Sequence, residues 1–307
     1  TGWSTTFNVG DHATSSLSIP ISQAYNFNAD EIADYGLIIE AEDTISLFAA
    51  NYNVNSFDAS NVLPVNSLNS DYIIQTYTPT TNAEFVIVAT ENNTEVEITP
   101  TKAMQGGHPA YGTFSVTLQK GQTYLGMSTY GGARGDLSGT FIHALNDKKI
   151  AVFNGNVCAN VPTQNSYTDH LYEQAIPVNY WGKTFAITNS VGQNYDVVRV
   201  TAQRNNTQLR RNGTYLTTLN AQQTYEFQLT DTEGSCYLES SEPVGTYLYI
   251  AGALQGNNHE ESDPSMIWIA PIEQQAYDVV FSTFQTADIS NHYVNIVAPN
   301  NSIGNIR

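Results

Sequence analysis

The chain has 307 residues, of which 41% are hydrophobic and 13% are charged, and its formal net charge at pH 7 is −18. The hydrophobic content is sufficient for packed cores and excludes a wholly disordered chain. The acidity argues against nucleic acid and anionic lipid as partners, because too few basic residues are present to replace their counterions. No apolar run approaches the ~20 residues of a membrane span. The start at Thr1, without an initiating Met, indicates a fragment of a longer polypeptide.

Short alternating runs predict β-strands throughout the chain. Val, Ile, Tyr, Phe and Thr alternate with polar residues and stop at Gly, Asn or Asp. The clearest runs, in chain order, are 113–118, 149–153, 183–188, 196–201 and 247–250. No stretch of about 12 residues has convincing helical periodicity. We therefore expect an all-β protein.

The chain also repeats its own pattern. The segment LPVNSLNSDYIIQTY recurs 113 residues later as IPVNYWGKTFAIT, and APIEQQAYDVVF is a third copy. The same offset relates Tyr72 to Phe185 and Ala89 to Ala202. A fixed period of this kind is the signature of a repeat architecture.

Each copy has about seven short strands in about 100 residues, the size and strand count of a β-sandwich module. We predict three tandem β-sandwich-like repeats, over 1–110, 111–212 and 213–307, either separate or packed as one pseudo-threefold body. The first is expected to be incomplete at its N-terminus and the third to continue beyond the chain. A Gly-Gly pair at 106–107 and an Asn-Gly pair at 212–213 supply turn chemistry at the boundaries.

Aromatic residues recur at matching strand positions, which favours a place in the core. An aromatic binding platform is the alternative. The predicted core aromatics are Tyr72, Phe185, Phe48, Phe153 and Tyr247.

An aspartate shortly before the proline of each copy is the main candidate for a functional site. These residues are Asp58, Asp169 and Asp263, and His170 follows the second. Their carboxylates could hold the turn into the next strand by accepting backbone N–H bonds, or they could belong to ligand-binding or calcium-binding loops. A catalytic carboxylate fits less well, because a threefold recurrence suits a scaffold better than a unique site.

The most charged stretch is HEESD at 259–263, where Glu260, Glu261 and Asp263 could ligate calcium. A solvated loop is the alternative, and no other cofactor is indicated. Nucleophile, zinc, phosphate-loop and dinucleotide motifs are absent from the sequence. A glycosidase needs only two apposed carboxylates, so a carbohydrate-active enzyme stays an alternative.

Two cysteines, Cys158 and Cys236, could form a disulfide between the second and third repeats if the protein is secreted. Against this pairing, aligning GTFIHAL with GSCYLES puts Cys236 opposite Phe141, at a core strand position. The turns at Asn92, Asn205 and Asn300 match the glycan acceptor pattern. They first indicate hairpin turns, because Asn tolerates positive φ.

Four separated blocks resemble the N-terminal domain of the IgG Fc-binding protein family, which occurs in animal mucus proteins and in exported proteins of Bacteroidota-type bacteria. The blocks follow the family's order and are ISLFAANYNVNSFDASNVLP (45–64), IAVFNGNVCANVP (150–162), DHLYEQAIPVNYWGKTF (169–185) and SDPSMIWIAPIEQ (262–274). The family commonly has a Cys before the Asp-His pair as partner for the Cys of NGNVC. Thr168 stands there in this chain, so Cys158 loses that partner.

The resemblance implies an extracellular or cell-surface module. We expect it to adhere to host or surface glycoproteins, such as mucin or immunoglobulin-like ligands. A structural spacer of a long surface protein and a carbohydrate-active enzyme are the alternatives. Because fold does not fix function, the ligand in the family's name is not carried over to this chain.

Overall fold

The computed structural model describes residues 2–53, 56–165, 167–252, 262–274, 276, 279 and 291–299. Within them the chain is almost entirely β-structure, as the alternating pattern predicts. The strands are β1 (Ile32–Ala33), β2 (Phe48–Asn53), β3 (Ser56–Asn61), β4 (Asp71–Ile73), β5 (Ala83–Ala89), β6 (Thr94–Thr99), β7 (Phe114–Leu118), β8 (Thr123–Met127), β9 (Phe141–Ala144), β10 (Ile150–Ala159), β11 (Asp169–Gln174), β12 (Gly182–Thr188), β13 (Tyr195–Ala202), β14 (Thr207–Arg211), β15 (Thr214–Leu219), β16 (Thr224–Thr230), β17 (Ser235–Ile250) and β18 (Ser265–Trp268).

Helical structure in this part of the chain is confined to single turns. The α-helical turn is α1 (Ile21–Ala24), and the 3-10 turns are Val65–Ser67, Gln105–Gly107, Gly132–Arg134, Leu145–Asp147, Val178–Tyr180 and Ile272–Gln274. Among the described residues no helix has the length and apolar character needed to cross a membrane.

The chain divides into two compact units. Unit 1 comprises Thr1–Ala159, His170–Asn179 and Val279–Ser282, and unit 2 comprises Asn160–Asp169, Tyr180–Asp278 and Thr283–Arg307.

Unit 1 is built from two larger sheets and one hairpin. A five-stranded sheet has the order β1-β8-β5-β10-β11, a four-stranded sheet has the order β4-β9-β6-β7, and β2 pairs with β3. One core contains side chains of both larger sheets, such as Phe85 and Ile87 on β5 and Ile98 on β6. Strand β5 alternates fully buried and half-buried residues, so one face packs on that core. Burial of one such side chain contributes about 1.5–3 kcal/mol.

Unit 2 contains one seven-stranded sheet folded around strand β17. Its order is β15-β14-β17-β13-β16, with β12 and β18 also paired to β17. The first half of this 16-residue strand pairs with β12 and β14, and the second half pairs with β13 and β18. Its core includes Phe185, Val200, Leu209 and Leu238.

The two units repeat one arrangement of strands. Tyr72 on β4 pairs with Ile142 on β9, and Phe185 on β12 pairs with Leu238 on β17. All four side chains are buried. Strands β4 to β8 thus correspond to β12 to β16, β9 and β10 correspond to the two halves of β17, and β11 corresponds to β18. The prediction that Tyr72 and Phe185 occupy equivalent strands is confirmed.

The described strands make two complete copies, β4–β11 and β12–β18. Strands β6 and β7 pair although they lie on either side of residue 110, and β14 and β15 pair across residue 212. The division into 1–110, 111–212 and 213–307 therefore stays a prediction. Most of the sequence that would continue a third copy after residue 274 lies outside the described residues.

The expected core aromatics are only partly in the core. Tyr72, Phe185 and Tyr247 are buried, whereas Phe153 is half-buried and Phe48 is 36% exposed. Phe48 lies on β2, whose partner among the described strands is β3. The hairpin is separate from the two larger sheets whose side chains form the core, and Phe48 is not among the core residues, so the prediction for Phe48 is wrong.

The alignment of Cys236 with Phe141 is wrong by one residue. Phe141 pairs with Ile73, and the residue that pairs at the corresponding position of unit 2 is Tyr237, opposite Ala186. A shift of one residue moves a side chain to the opposite face of a strand. Cys236 is accordingly buried, whereas Tyr237 is 41% exposed.

Asparagine turns connect equivalent strands, as their sequence predicts. Asn93 and Asn206 have φ values of 56° and 61° between β5 and β6 and between β13 and β14. Asn212 and Gly213, with φ values of 49° and 77°, form the two-residue turn between β14 and β15. Two successive positive φ values match the right-handed twist of a hairpin.

Candidate functional site

Strands β3 and β11 lie side by side in unit 1 and are joined by side chains. The Asp58 carboxylate accepts the backbone N–H of Tyr172 at 2.9 Å, and the Ser60 hydroxyl accepts that of Gln174 at 2.7 Å. Each bond spans 114 residues, so the two strands run parallel. Strand β11 is the last strand of its sheet, and these bonds occupy backbone donors that would otherwise face an open edge.

Asp58 has the geometry of a structural carboxylate. It is only 6% exposed, and its second oxygen accepts the backbone N–H of Ala59 at 2.9 Å. Hydrogen bonds from N–H groups to an ionised carboxylate are roughly twice as strong as neutral ones. The carboxylate accepts backbone N–H bonds, as in the structural alternative from the sequence, but it lies within β3 and holds that strand to β11 and not a turn.

A hydroxyl, an imidazole and a carboxyl group come together beside this pair of strands. Ser56 Oγ on β3 is hydrogen-bonded to His170 Nδ1 on β11. Burial raises the pKa of Glu84, on β5, from 4.5 to about 7, and the charge of His170 opposes this rise. The Glu84 carboxyl therefore exchanges its proton near neutral pH, so the charge of this cluster changes in the physiological range.

Tyr172 lies two residues after His170 on β11. Its ring is stacked on Phe153, with centroids 5.5 Å apart and planes 4° from parallel. Burial raises the pKa of the Tyr172 phenol, and the neighbouring carboxylates of Glu173 and Asp58 raise it further. The phenol thus stays protonated and keeps its ability to donate a hydrogen bond.

The other predicted site residues lie at different places. Asp169 is the first residue of β11 and is 3% exposed. Asp263 is exposed and lies just before β18. Glu260 and Glu261 lie outside the described residues. Within the described ranges no three His, Cys, Asp or Glu side chains are grouped so that they could hold a metal ion. The calcium site at 259–263 stays a prediction.

Both cysteines are free thiols in the structure. Cys158 on β10 is half-buried, and Cys236 belongs to the core of unit 2. Burial raises the pKa of the Cys236 thiol, and the charge of Arg211 opposes this rise. A buried thiol with a raised pKa is a poor nucleophile.

A groove of about 510 Å³ lies on unit 2. Its walls are formed by residues 186–188 of β12, 235–237 of β17, Asn212 and residues 296–298. The titratable groups in this lining are Cys236 and Tyr237, so the groove offers little acid–base chemistry.

Sequence reasoning did not identify Ser56 or Glu84 as members of a cluster. Glu84 has a signal in the sequence, because it is the only charged residue in the apolar run AEFVIVA. Ser56 has no comparable signal. Its position beside His170 depends on the neighbouring placement of two strands that are 114 residues apart.

The comparisons with known proteins agree on one family. The family model described as IgGFc binding protein matches residues 58–307. Human IgGFc-binding protein is 25% identical over 268 residues, which is 84% of this chain and 5% of that protein. The chain therefore spans only a small part of this curated relative's length. No solved structure matches the chain.

Proposed function

The chain belongs to the IgGFc binding protein family, and on that premise we propose that it is an extracellular module that binds a protein or glycoprotein. The observation that carries the proposal is the extent of the family match, which includes both complete copies of the strand arrangement. The human relative is named for binding to IgG Fc. Immunoglobulin and mucin-type glycoproteins are therefore the first ligands to test.

The β2–β3 hairpin of unit 1 has the surface that best suits this function. Tyr52 on β2 is 57% exposed, and its ring meets Phe57 of β3 edge-on at 6.1 Å. Exposed aromatic side chains dominate the binding energy of many protein interfaces. Asp58 and Ser60 of β3 fix this hairpin to β11, so the aromatic surface is presented on a rigid support.

The test is a binding experiment with the purified chain. The probes are immobilised human IgG Fc, purified mucin and a glycan array, each measured with calcium and with chelator. For the ligand that binds, Tyr52→Ala should weaken the affinity about tenfold or more, the range of a central aromatic anchor. Tyr215→Ala is the matched control, because Tyr215 is 50% exposed on β15 of unit 2.

If Tyr52→Ala leaves the affinity unchanged, the binding interface does not include the exposed aromatic surface of the hairpin. Failure to bind any of the probes would favour a structural spacer. The spacer is supported by the two copies with the same strand order, because a spacer needs only repeated rigid units.

We also propose that the isolated chain has no hydrolase activity. The hydrogen bond between Ser56 and His170 is the contact that favours a hydrolase, because a base within hydrogen-bond reach activates a hydroxyl nucleophile. Turnover of a polysaccharide or an ester that Ser56→Ala abolishes would contradict the proposal.

A further inference from the structure

Three asparagines of the described chain stand in the glycan acceptor pattern Asn-x-Ser/Thr. They are Asn92, Asn205 and Asn212, and each is exposed in a turn between two strands. A glycan is joined to the side-chain nitrogen of such an asparagine, and the amide oxygen stays in place. The contacts of these two atoms therefore decide whether a folded turn can carry a glycan.

Asn212 is attached to β17 through its oxygen. Its Oδ1 accepts the backbone N–H of Tyr237 at 2.8 Å, and its own N–H donates to the Tyr237 carbonyl at 2.8 Å. A backbone N–H needs an oxygen as acceptor, so the orientation of this amide is fixed. Within the described part of the chain Nδ2 of Asn212 donates no hydrogen bond. A sugar on Nδ2 would leave both bonds to β17 in place.

Asparagines outside the acceptor pattern use their nitrogen instead. The Nδ2 groups of Asn154, Asn156 and Asn165 donate to backbone carbonyls at 3.1, 2.9 and 2.8 Å. All three residues are buried, so a sugar on any of them would break a buried hydrogen bond. Asn212 differs from them in both exposure and orientation.

The third residue of the pattern separates Asn212 from the other two acceptors. The pattern requires a hydroxyl at this position, so a transferase must reach it. Thr214, at the start of β15, is exposed, and its hydroxyl makes no hydrogen bond with the described residues. Thr94 and Thr207 are fully buried, and their hydroxyls donate to the carbonyls three residues earlier at 2.8 and 2.7 Å. Only the Asn212 pattern is therefore accessible on the folded surface.

The turn at Asn212 also has space around it. A Cβ added to Gly213, the middle residue of the pattern, would meet no neighbour within 4 Å. The corresponding connection of unit 1, between β6 and β7, is the long segment 100–113, which contains no asparagine. The accessible acceptor therefore belongs to the second copy alone.

We propose that Asn212 is a glycosylation site of the folded protein, with a nucleoside-diphosphate sugar as the donor. Nδ2 of Asn212 attacks the anomeric carbon, and the bond from that carbon to the diphosphate oxygen breaks. The nucleoside diphosphate leaves with the electron pair, and one amide proton passes to a base of the transferase. This site is separate from the aromatic surface of Tyr52, so the two proposals fail independently.

The experiment uses the full 307-residue chain, a soluble asparagine N-glucosyltransferase and UDP-glucose. Peptide mass spectrometry gives the rate at each asparagine. In the folded chain Asn212 should be glucosylated about tenfold faster or more than Asn92 and Asn205, because those two require local opening of the fold. Synthetic peptides that cover the three patterns should react at rates within about threefold of one another, because no fold hides their hydroxyls.

Variants of the chain test the role of the hydroxyl. Thr214→Val keeps both contacts of Asn212 with β17 and should lower the rate about tenfold or more, whereas Thr214→Ser should keep it within about threefold. Thr117→Val is the control, because Thr117 is exposed on β7 and lies outside any acceptor pattern.

The proposal is overturned if the folded chain gains no glucose at Asn212, or if Asn92 or Asn205 gains it equally fast. It is also overturned if Thr214→Val leaves the rate unchanged, or if the peptides show the same preference as the folded chain.

Discussion

Asp58 and Tyr172 are joined by a hydrogen bond from a backbone N–H to a buried carboxylate, 2.9 Å long, between parallel strands of unit 1. A second bond of the same kind, from Gln174 to Ser60, lies next to it. These bonds hold the β2–β3 hairpin to β11, because among the described strands β2 and β3 form a two-stranded sheet of their own.

Replacement of Asp58 by Ala should destabilise unit 1 by about 1–3 kcal/mol, because the buried N–H of Tyr172 loses its acceptor. Amide exchange at Tyr172 should accelerate, and urea unfolding should shift to lower concentration. Asp11→Ala is the control, because Asp11 is exposed, and it should stay within about 0.5 kcal/mol. An unchanged exchange rate at Tyr172 would show that the bond contributes little.

The pKa of Glu84 predicts a pH dependence of stability. In the folded chain this pKa is raised from 4.5 to about 7, so between these values the folded state binds more protons than the unfolded state. Stability should therefore fall as the pH rises from about 4.5 through about 7, and level off above. Glu84→Gln should flatten this part of the profile, measured as the urea midpoint against pH. If the urea midpoint declines equally with pH in the unchanged chain and in Glu84→Gln, other titratable groups cause the pH dependence.

The two cysteines should differ in reactivity. Cys236 is 5% exposed and burial raises its pKa, whereas Cys158 is half-buried, so alkylation of the native chain should modify Cys158 first. Peptide mass spectrometry after timed alkylation gives both rates. If both thiols resist alkylation in urea until a reductant is added, the Cys158–Cys236 disulfide predicted from the sequence has formed.

A side chain at Gly213, the second position of the turn at Asn212 and Gly213, should destabilise the folded chain. Gly213 has a φ of 77°, and a Cβ there would meet no neighbour within 4 Å, so the cost of Gly213→Ala is backbone strain alone. We expect a loss of about 1–2 kcal/mol, measured by thermal unfolding. Gly10→Ala is the control, because Gly10 has no such φ and its Cβ would make only an ordinary contact at 3.7 Å.

Local patterns predicted the strands and the repeat well. The alternating run at 183–188 lies within β12, and the 113-residue offset identifies Tyr72 and Phe185 as equivalent. An offset gives the period of a repeat but not the residue at which a copy begins. The sequence therefore did not reveal that β6 and β7 pair across residue 110.

The candidate site was predicted less completely, because its members meet through tertiary structure. Asp58 was singled out from its position before a proline, and His170 because it follows Asp169. Nothing local indicates that β3 lies parallel to β11, which brings Ser56 to His170. The one-residue error at Cys236 has a related cause, because the register of a strand is set by its partner and not by its own composition.

The parallel arrangement of β3 and β11 has a mechanical consequence. Tension applied between the start of β3 and the end of β11 would pull these two parallel strands along their common direction. The Asp58–Tyr172 and Ser60–Gln174 bonds lie across that direction and are loaded in shear, so they must rupture together and not one after the other. We therefore expect unit 1 to resist stretching at this seam.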